Sequence, residues 1–301
     1  MLIDPALVAT AFLLGGVIGL TGMGGGALLT PLLIGVFHVP PAAAIASDLV
    51  ASAIMKPFGA AVHLRSGTAD LRIVRWLLCG SVPSAFAAPI LSHALIDGGL
   101  PNDLLRVLLG VMVVASSVLG LSRAFLNARR PPEHRSTGKP GHRRSRITLC
   151  VLGVVVGTLV GLTSVGSGSL VAAGLVVLFP AMTGRRLTAT DLVQAVPLVW
   201  AAALGHLLVG EFALGITASV ALGGIPGVLV GSLWATRVRG RWLKAFVLGL
   251  LMFSGLSMLS APLWAALPIA ATAGTVHWFL REKPPPEPAS SVPAASTIRS
   301  E

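Results

Sequence analysis

The chain has 301 residues, of which 54% are hydrophobic and 11% charged, and its mean hydropathy is +0.86. Soluble domains carry about 25% charged residues, so this composition excludes an ordinary soluble domain and indicates an integral membrane protein. The formal net charge is +11. The basic residues lie in short loops between apolar segments and form no groove-sized patch, so we predict no binding to nucleic acid.

Eleven apolar segments follow one another along the chain. A helix needs about 20 residues to cross about 30 Å of hydrocarbon, and most segments approach that length. The first has no basic region before it and carries Asp4, so we predict a retained helix and not a signal peptide. Two segments, 26–38 and 167–180, are too short for a comfortable span. The predicted segments are 5–22, 26–38, 42–64, 72–96, 103–125, 146–164, 167–180, 190–209, 213–235, 243–260 and 262–280.

A glycine-rich stretch between the first two segments has a relative in the second half of the chain. Residues 15–28, GGVIGLTGMGGGAL, match residues 157–170, GTLVGLTSVGSGSL, at a shift of 142 positions. Later motifs recur at a shift of 143 positions. A nearly constant shift over roughly seventy residues indicates an internal duplication. The later matches pair Asp48-Leu49-Val50 with Asp191-Leu192-Val193, His63-Leu64 with His206-Leu207, and Gly80 and Pro83 with Gly223 and Pro226.

The basic residues predict how the two copies lie in the membrane. Lys and Arg concentrate in cytoplasmic loops, and of the 22 basic residues only Lys56 and Arg106 fall outside one alternating set of loops, linker and tail. Assigning that set to the cytoplasm places the N-terminus outside and the C-terminus inside. Segment 42–64 then runs inward and its counterpart 190–209 runs outward, so the copies are predicted to be inverted, as in many secondary transporters.

The predicted fold is an all-α integral membrane protein with two inverted five-segment repeats. Glycine-rich broken or re-entrant helices interrupt the repeats, which leaves about 8–11 membrane segments. The Pro-, Ser- and charge-rich linker and tail are predicted to be disordered. The predicted boundaries are 1–125 for the first repeat, 126–145 for the basic cytoplasmic linker, 146–260 for the second repeat, 261–280 for a final transmembrane helix and 281–301 for a cytoplasmic tail.

The two glycine-rich stretches predict a binding site. Irregular backbone survives in hydrocarbon only where it is buried in protein or lines a cavity. A short helix that begins there presents unbonded amides and the positive pole of its dipole. Two such starts near the midplane would suit an anion; close helix packing is the alternative. The candidates are Thr21, Gly22, Met23, Gly24, Gly25 and Gly26 in the first copy and Thr163, Ser164, Gly166, Ser167, Gly168 and Ser169 in the second.

Lys56 is the one basic residue deep in a predicted span. It lies eight residues before Leu64, or about 12 Å from the cytoplasmic end of the helix. A buried charge costs about 2.5–3.5 kcal/mol on insertion scales, so Lys56 needs a partner. The side chain either faces the anion cavity or snorkels toward the inner headgroups, and we keep both interpretations.

Further polar residues occupy the same two helices. His63 and His206 stand at matched positions and could pass protons, or could be ordinary helix-end residues. Asp48 and Asp191 are predicted to start their helices as N-caps, with proton relay as the second hypothesis. Gln194 follows Asp191 by three positions and is predicted to line the same path.

The sequence gives no support to enzyme or metal chemistry. It has no HExxH motif and no Cys/His cluster, so we predict no enzymatic activity, no cofactor and no metal site. Cys79 and Cys150 form no CxxC motif and are predicted to be small packed hydrophobes rather than a redox pair.

The first glycine-rich stretch carries a resemblance to a known family. The pattern G-x3-G-x-[TS]-G-x-G-G-G-x-L-x-x-P opens the chain's first helix and recurs in weaker form after the basic linker. In this it resembles the sulfite exporter TauE/SafE family of membrane permeases, over about residues 5–260. In the second copy Ser164, Ser167 and Ser169 replace two glycines and an alanine. The pattern stands here as Gly15, Gly19, Thr21, Gly22, Gly24, Gly25, Gly26, Leu28 and Pro31.

The resemblance implies an integral membrane transporter for small sulfur-containing oxyanions, such as sulfite or organosulfonates. We therefore predict a proton-coupled secondary transporter of the cell membrane that works by alternating access around the midplane site. Its predicted partners are a small inorganic or organic anion and the lipid bilayer, with a homo-oligomer left open. An anion channel and a permease for a different small organic anion are the alternatives.

Overall fold

The helices of the chain follow the apolar segments closely. The computed structural model describes residues 3–21, 26–65, 69–96, 99–129, 143–179, 182, 184–210, 213–234 and 240–280. Within these ranges it has eleven α-helices and no strand, so the all-α prediction is confirmed there. The helices are α1 (Pro5–Thr21), α2 (Gly26–Gly35), α3 (Pro41–Arg65), α4 (Leu71–Leu95), α5 (Asn102–Arg129), α6 (Arg143–Thr163), α7 (Ser169–Leu178), α8 (Gly184–Val209), α9 (Leu214–Trp234), α10 (Gly240–Met258) and α11 (Leu263–Leu280).

Several of these helices match the thickness of a bilayer. The described parts of α4, α5, α6, α8 and α9 are 18–25 residues long and predominantly apolar, which is enough to cross the hydrocarbon. Much of their surface is apolar and exposed, as a lipid-facing helix requires, with Leu95, Leu208 and Leu233 each at least 70% exposed. The predicted linker falls largely at 130–142 and the predicted tail at 281–301, both outside the described residues.

Two helices are too short to cross. Both α2 and α7 have 10 residues, which gives about 15 Å of rise against about 30 Å of hydrocarbon. Each follows one of the glycine-rich stretches. The second stretch is an irregular break between α6 and α7, in which Ser164 has a φ of 61° and Gly166 a φ of 104°. Glycine adopts that left-handed backbone without the steric cost that Ser164 bears.

Glycines pack α1 directly onto α9. A Cβ added to Gly223 would overlap the Val8 carbonyl, and one added to Gly15 would lie 2.6 Å from the Gly224 carbonyl oxygen. One turn further along both helices, Gly227 contacts Phe12, just as Gly223 contacts Val8. The two helices therefore run parallel, and their backbones touch as small-xxx-small sequences permit.

A second glycine contact joins α4 to α6 at matched positions. A Cβ on Gly80 would overlap the Cys150 carbonyl, and one on Gly157 would overlap Ser81. Shifted by 142 or 143 positions, these are the contacts that Gly223 and Gly15 make between α9 and α1. This pair of helices also runs parallel, and Cys79 and Cys150 on it are free thiols.

The centre of the molecule is formed by α3 and α8, which lie side by side and antiparallel. Near the start of α3, Ser47 Oγ accepts from the Ala213 amide just beyond α8 at 3.4 Å. Near the start of α8, Thr190 Oγ1 accepts from the Asp70 amide just beyond α3 at 2.9 Å. The second contact is reinforced by an ion pair of 2.6 Å between Asp70 and Arg186.

Candidate functional site

The start of α2 lies against the break between α6 and α7. Gly26, the first residue of α2, is buried, and a Cβ added to it would meet the carbonyl oxygen and the hydroxyl of Ser164. The same Cβ would lie 2.9 Å from Asp48 Oδ2. The fold thus brings the described end of the first glycine-rich stretch together with the second, and both together with a carboxylate.

Asp48 connects three parts of the chain through hydroxyl groups. Its Oδ2 accepts from Thr30 Oγ1 of α2 at 3.0 Å and from Ser164 Oγ of the break. Its Oδ1 accepts from Ser52 Oγ, one turn later on α3, at 3.4 Å. All four side chains are buried. An ionised carboxylate is a pure acceptor, so hydroxyl donors from α2, α3 and the break stabilise it.

Asp48 also corrects a prediction. Ser, Thr and Asp are typical N-caps, and we expected Asp48 and Asp191 to begin their helices. Helix α3 instead begins at Pro41 and α8 at Gly184, so both aspartates lie seven residues inside. They are interior, buried carboxylates, and the N-termini of their own helices do not account for their charge.

Lys56 points to the second break. Its Nζ donates to Ser167 Oγ at 2.9 Å, and the side chain is half-buried. The carboxylates of Asp48 and Asp191 both act electrostatically on its ammonium group. Of the two interpretations of Lys56, this contact favours the one in which the side chain faces the interior.

The break itself is held by short local contacts. Thr163 Oγ1 donates to the Leu159 carbonyl at 2.6 Å and accepts from the Val165 amide at 3.3 Å. Gly168, the residue before α7, makes no side-chain capping bond. No side chain caps the first amides of α7, although the Leu170 amide donates to the Gly166 carbonyl at 3.1 Å. Ser169 Oγ at the helix start donates to Ser116 Oγ of α5 at 2.7 Å.

Helix α8 adds a second set of buried polar groups. Asp191 and Gln194 are both buried. Gln194 Nε2 donates to Ser81 Oγ of α4 at 3.1 Å, while its Oε1 has no hydrogen-bond partner among the described residues. A buried amide oxygen of this kind can accept a hydrogen bond from a ligand or water.

His206 stands apart from this cluster. His206 is buried at the far end of α8, where Nε2 donates to the Gly161 carbonyl at 2.8 Å. This hydrogen bond favours the interpretation of His206 as an ordinary helix-end residue. His63 belongs to α3, but its side chain lies outside the described residues, as do Gly22, Met23, Gly24 and Gly25 and the side chain of Thr21.

Four hydroxyl residues were not among the candidates from the sequence. Ser52 lies four positions after Asp48, so helical spacing alone could have found it. Thr30, Ser81 and Ser116 come from α2, α4 and α5. Their contacts depend on how these helices pack, which no local signal in the sequence reports.

Chemically, the cluster combines donors with two carboxylates. The ammonium of Lys56, the hydroxyls of Ser164 and Ser167 and the start of α7 suit an oxyanion. Asp48 and Asp191 suit a proton. In the part of the chain that the structure describes, no three His, Cys, Asp or Glu side chains converge as a metal ion would require.

Comparisons with known proteins agree with the membrane architecture. The model of the family described as "Sulfite exporter TauE/SafE" matches residues 7–258. A probable membrane transporter protein of Bacillus subtilis (strain 168), YjnA, is 35% identical over 255 residues, which cover 84% of this chain and 99% of the relative. A second one, YdhB, is 28% identical over 229 residues, covering 75% and 88%. No solved structure matches the chain.

Proposed function

We propose that this chain, which belongs to the sulfite exporter TauE/SafE family, is a proton-coupled secondary transporter for a small sulfur-containing oxyanion such as sulfite or an organosulfonate. The family and its relatives make it a multi-pass membrane transporter. The substrate, the coupling ion and alternating access are the proposal. The family assignment argues against an enzyme, and we assign it no catalytic residue.

One observation carries the choice of an anion. Lys56, from the first half of the chain, donates to Ser167 beside the uncapped start of α7 in the second half. A positive side chain and a helix N-terminus therefore act on one place. An oxyanion bound there would replace the hydroxyl of Ser167 as the acceptor for Lys56. In the same break, the backbone of Ser164 approaches Gly26 closely.

We infer further that the halves, 1–125 and 146–260, form inverted repeats joined by the linker 126–145. The final segment 261–280, which contains α11, and the tail (281–301) lie outside them. The matched glycine contacts of α1 with α9 and of α4 with α6 support this. So do the antiparallel course of α3 and α8 and the matched bonds at Ser47 and Thr190. On this proposal α2 and α7 are re-entrant, and their starts meet near the midplane.

The proposed location is the cell membrane, with the N-terminus outside and the C-terminus in the cytoplasm. The ion pair between Asp70 and Arg186 would then lie on the cytoplasmic side. The partners of the protein are the transported anion and the bilayer, and we propose no nucleic-acid partner.

The function is tested by counterflow in proteoliposomes. Vesicles loaded with unlabelled sulfite, sulfate or a short sulfonate are diluted into the labelled anion, with and without a pH gradient. A carrier gives saturable uptake with transient accumulation driven by the internal anion. A linear concentration dependence without counterflow would identify an anion channel. If none of the three drives counterflow of another, while a different organic anion does, the substrate class is wrong.

A further inference from the structure

The proposed anion site contains a carboxylate at the place where a negative ligand would bind. Asp48 is fully buried, with 0% of its surface exposed. Its Oδ2 faces Gly26, the first residue of α2, and bonds to Ser164 of the second break. A carboxylate beside a helix start is stabilised by the same helix dipole that would attract an anion. The ionised carboxylate of Asp48 therefore repels an anion that enters the proposed site.

The charges around Asp48 come from few sources. Among the side chains of α3 that the structure describes, Lys56 is the cation, and on α8 Asp191 also acts on Lys56. The described parts of α2 and α9, which also pack on α3, contain no titratable side chain. On α5 the charged side chains that the structure describes, Asp103 and Arg106, lie exposed at its start. Lys56 is thus the cation that must serve both Asp48 and any bound anion.

The two halves are unequal in this respect. The position that matches Asp48 is Asp191, but the position that matches Lys56 is the buried Val199. The hydroxyl residues Thr30 and Ser52 are likewise matched by alanines, at 172 or 173 and at 195. Asp48 therefore shares its helix with a cation that has no counterpart at the matched position of α8, and a bound anion would compete with Asp48 for that cation.

We propose that Asp48 is the proton site that couples transport to the proton gradient, a proposal that rests on the function proposed above. With the site empty, Asp48 is ionised and Lys56 balances it. When a monoanion binds at Lys56 and the start of α7, Asp48 takes up one proton from solvent at a carboxylate oxygen. The proton leaves when the anion leaves.

The charge balance explains why the binding of an anion is accompanied by the uptake of a proton. With Asp48 and Asp191 ionised and Lys56 protonated, the three side chains sum to −1; a monoanion makes −2, and one proton restores −1. One anion and one proton then cross together, so the transport of a monoanion moves no net charge. Coulomb repulsion at this depth is weakly screened, which ties the two events together.

The partners of Asp48 allow both protonation states. Thr30, Ser52 and Ser164 donate to the carboxylate, and a hydroxyl can turn to accept when the acid is protonated. Backbone amides or an arginine could not reverse their role in this way. Because Ser164 belongs to the second half and Thr30 to α2, the protonation of Asp48 changes a contact between the moving parts.

The test uses a sulfonate, because methanesulfonate stays a monoanion across the working pH range. In proteoliposomes with a potassium diffusion potential, we expect the wild-type protein to accumulate the anion up to about tenfold per pH unit of gradient. The membrane potential should not change this uptake. Asp48→Asn keeps the size and hydrogen bonds of the side chain. It should carry the anion alone, lose the pH response and become sensitive to the potential.

Two controls and a second measurement complete the test. Asp103→Asn, an exposed carboxylate on α5, should behave as wild type, and Asp48→Glu should retain the pH response. In lightly buffered detergent solution, methanesulfonate binding to the wild type should take up about one proton per site, and binding to Asp48→Asn none. This second measurement does not require the variant to transport.

The outcomes separate this inference from the proposed function. A wild-type protein that neither binds nor carries a sulfonate or sulfite contradicts the proposed function. A wild-type protein that carries methanesulfonate, with Asp48→Asn giving the same proton uptake and the same pH response, overturns the assignment of Asp48 alone. Loss of coupling in Asp191→Asn but not in Asp48→Asn would overturn it as well.

Discussion

Gly26 leaves no room for a side chain at the start of α2. Because a Cβ there would overlap Ser164 and lie 2.9 Å from Asp48 Oδ2, we expect Gly26→Ala to separate the two breaks. The affinity for the transported anion should fall about tenfold, equal to about 1.4 kcal/mol. Gly35→Ala, at the other end of the same helix with nothing within 4 Å, is the matched control. Isothermal titration in detergent measures both, and equal affinities in the two variants would contradict a role for Gly26.

Lys56 is expected to contribute binding energy through its charge. Lys56→Met keeps the length of the side chain but removes the ammonium that donates to Ser167 Oγ. Hydrogen bonds to charged groups contribute about 1.5–3 kcal/mol, so the apparent affinity should drop about tenfold to a hundredfold.

The comparison for Lys56→Met is Arg106→Met, which removes an exposed cation on α5 and should leave transport unchanged. Concentration series of initial uptake rates give the apparent affinities. Unaltered transport by Lys56→Met at every substrate concentration would exclude Lys56 from the site.

At the scale of helices, adjacent glycines on α1 should respond in opposite ways. A Cβ on Gly15 would lie 2.6 Å from the Gly224 carbonyl oxygen, whereas one on Gly16 would meet its nearest neighbour at 3.9 Å. Gly15→Ala should therefore lower the stability by about 1–3 kcal/mol through overpacking. Gly16→Ala should be neutral or stabilising by about 0.5–1 kcal/mol, because alanine is the better helix former.

Thermal unfolding in detergent, followed by size-exclusion fluorescence, measures this difference. Gly157→Ala, which would press on Ser81 at the matched contact of α4 and α6, should show the same loss as Gly15→Ala. A lower unfolding temperature for Gly16→Ala than for Gly15→Ala would contradict the observed packing.

Local signals in the sequence predicted where the helices lie along the chain better than which helices pack against each other. The Gly-x3-Gly sequence at Gly15 predicts a close helix contact, but only the packed chain identifies α9 as the neighbour. The predicted segment 42–64 matched α3 to within one residue at each end, but the N-cap role of Asp48 was wrong, because Ser47-Asp48 is a typical N-cap pair inside a helix that begins at Pro41. Pro41, followed by three alanines, was the better signal, since proline favours the first helical position. The contact of Thr30 with Asp48 could not be predicted, because it depends on α2 folding back against α3.

At the scale of the molecule, each half completes the other. Helix α1 packs on α9 and α4 on α6, so both close glycine contacts join the first half to the second. Asp48 and Lys56 likewise bond to residues of the second half. The ion pair of Asp70 with Arg186 has no counterpart at the matched contact, since positions 213 and 43 are both alanine. An ion pair therefore reinforces one end of the α3–α8 pair and not the matched contact at the other end.

The inverted arrangement is open to a direct test at two matched leucines. Leu71 begins α4 and Leu214 begins α9, 143 positions apart, and they are 58% and 68% exposed. In a background that lacks Cys79 and Cys150, we expect an impermeant maleimide to label Leu214→Cys on intact cells. Leu71→Cys should react only after the membrane is opened, because parallel copies would put both leucines on one side and inverted copies separate them. Labelling of both cysteines from one compartment would contradict inversion, and with it the convergence of α2 and α7 from opposite faces.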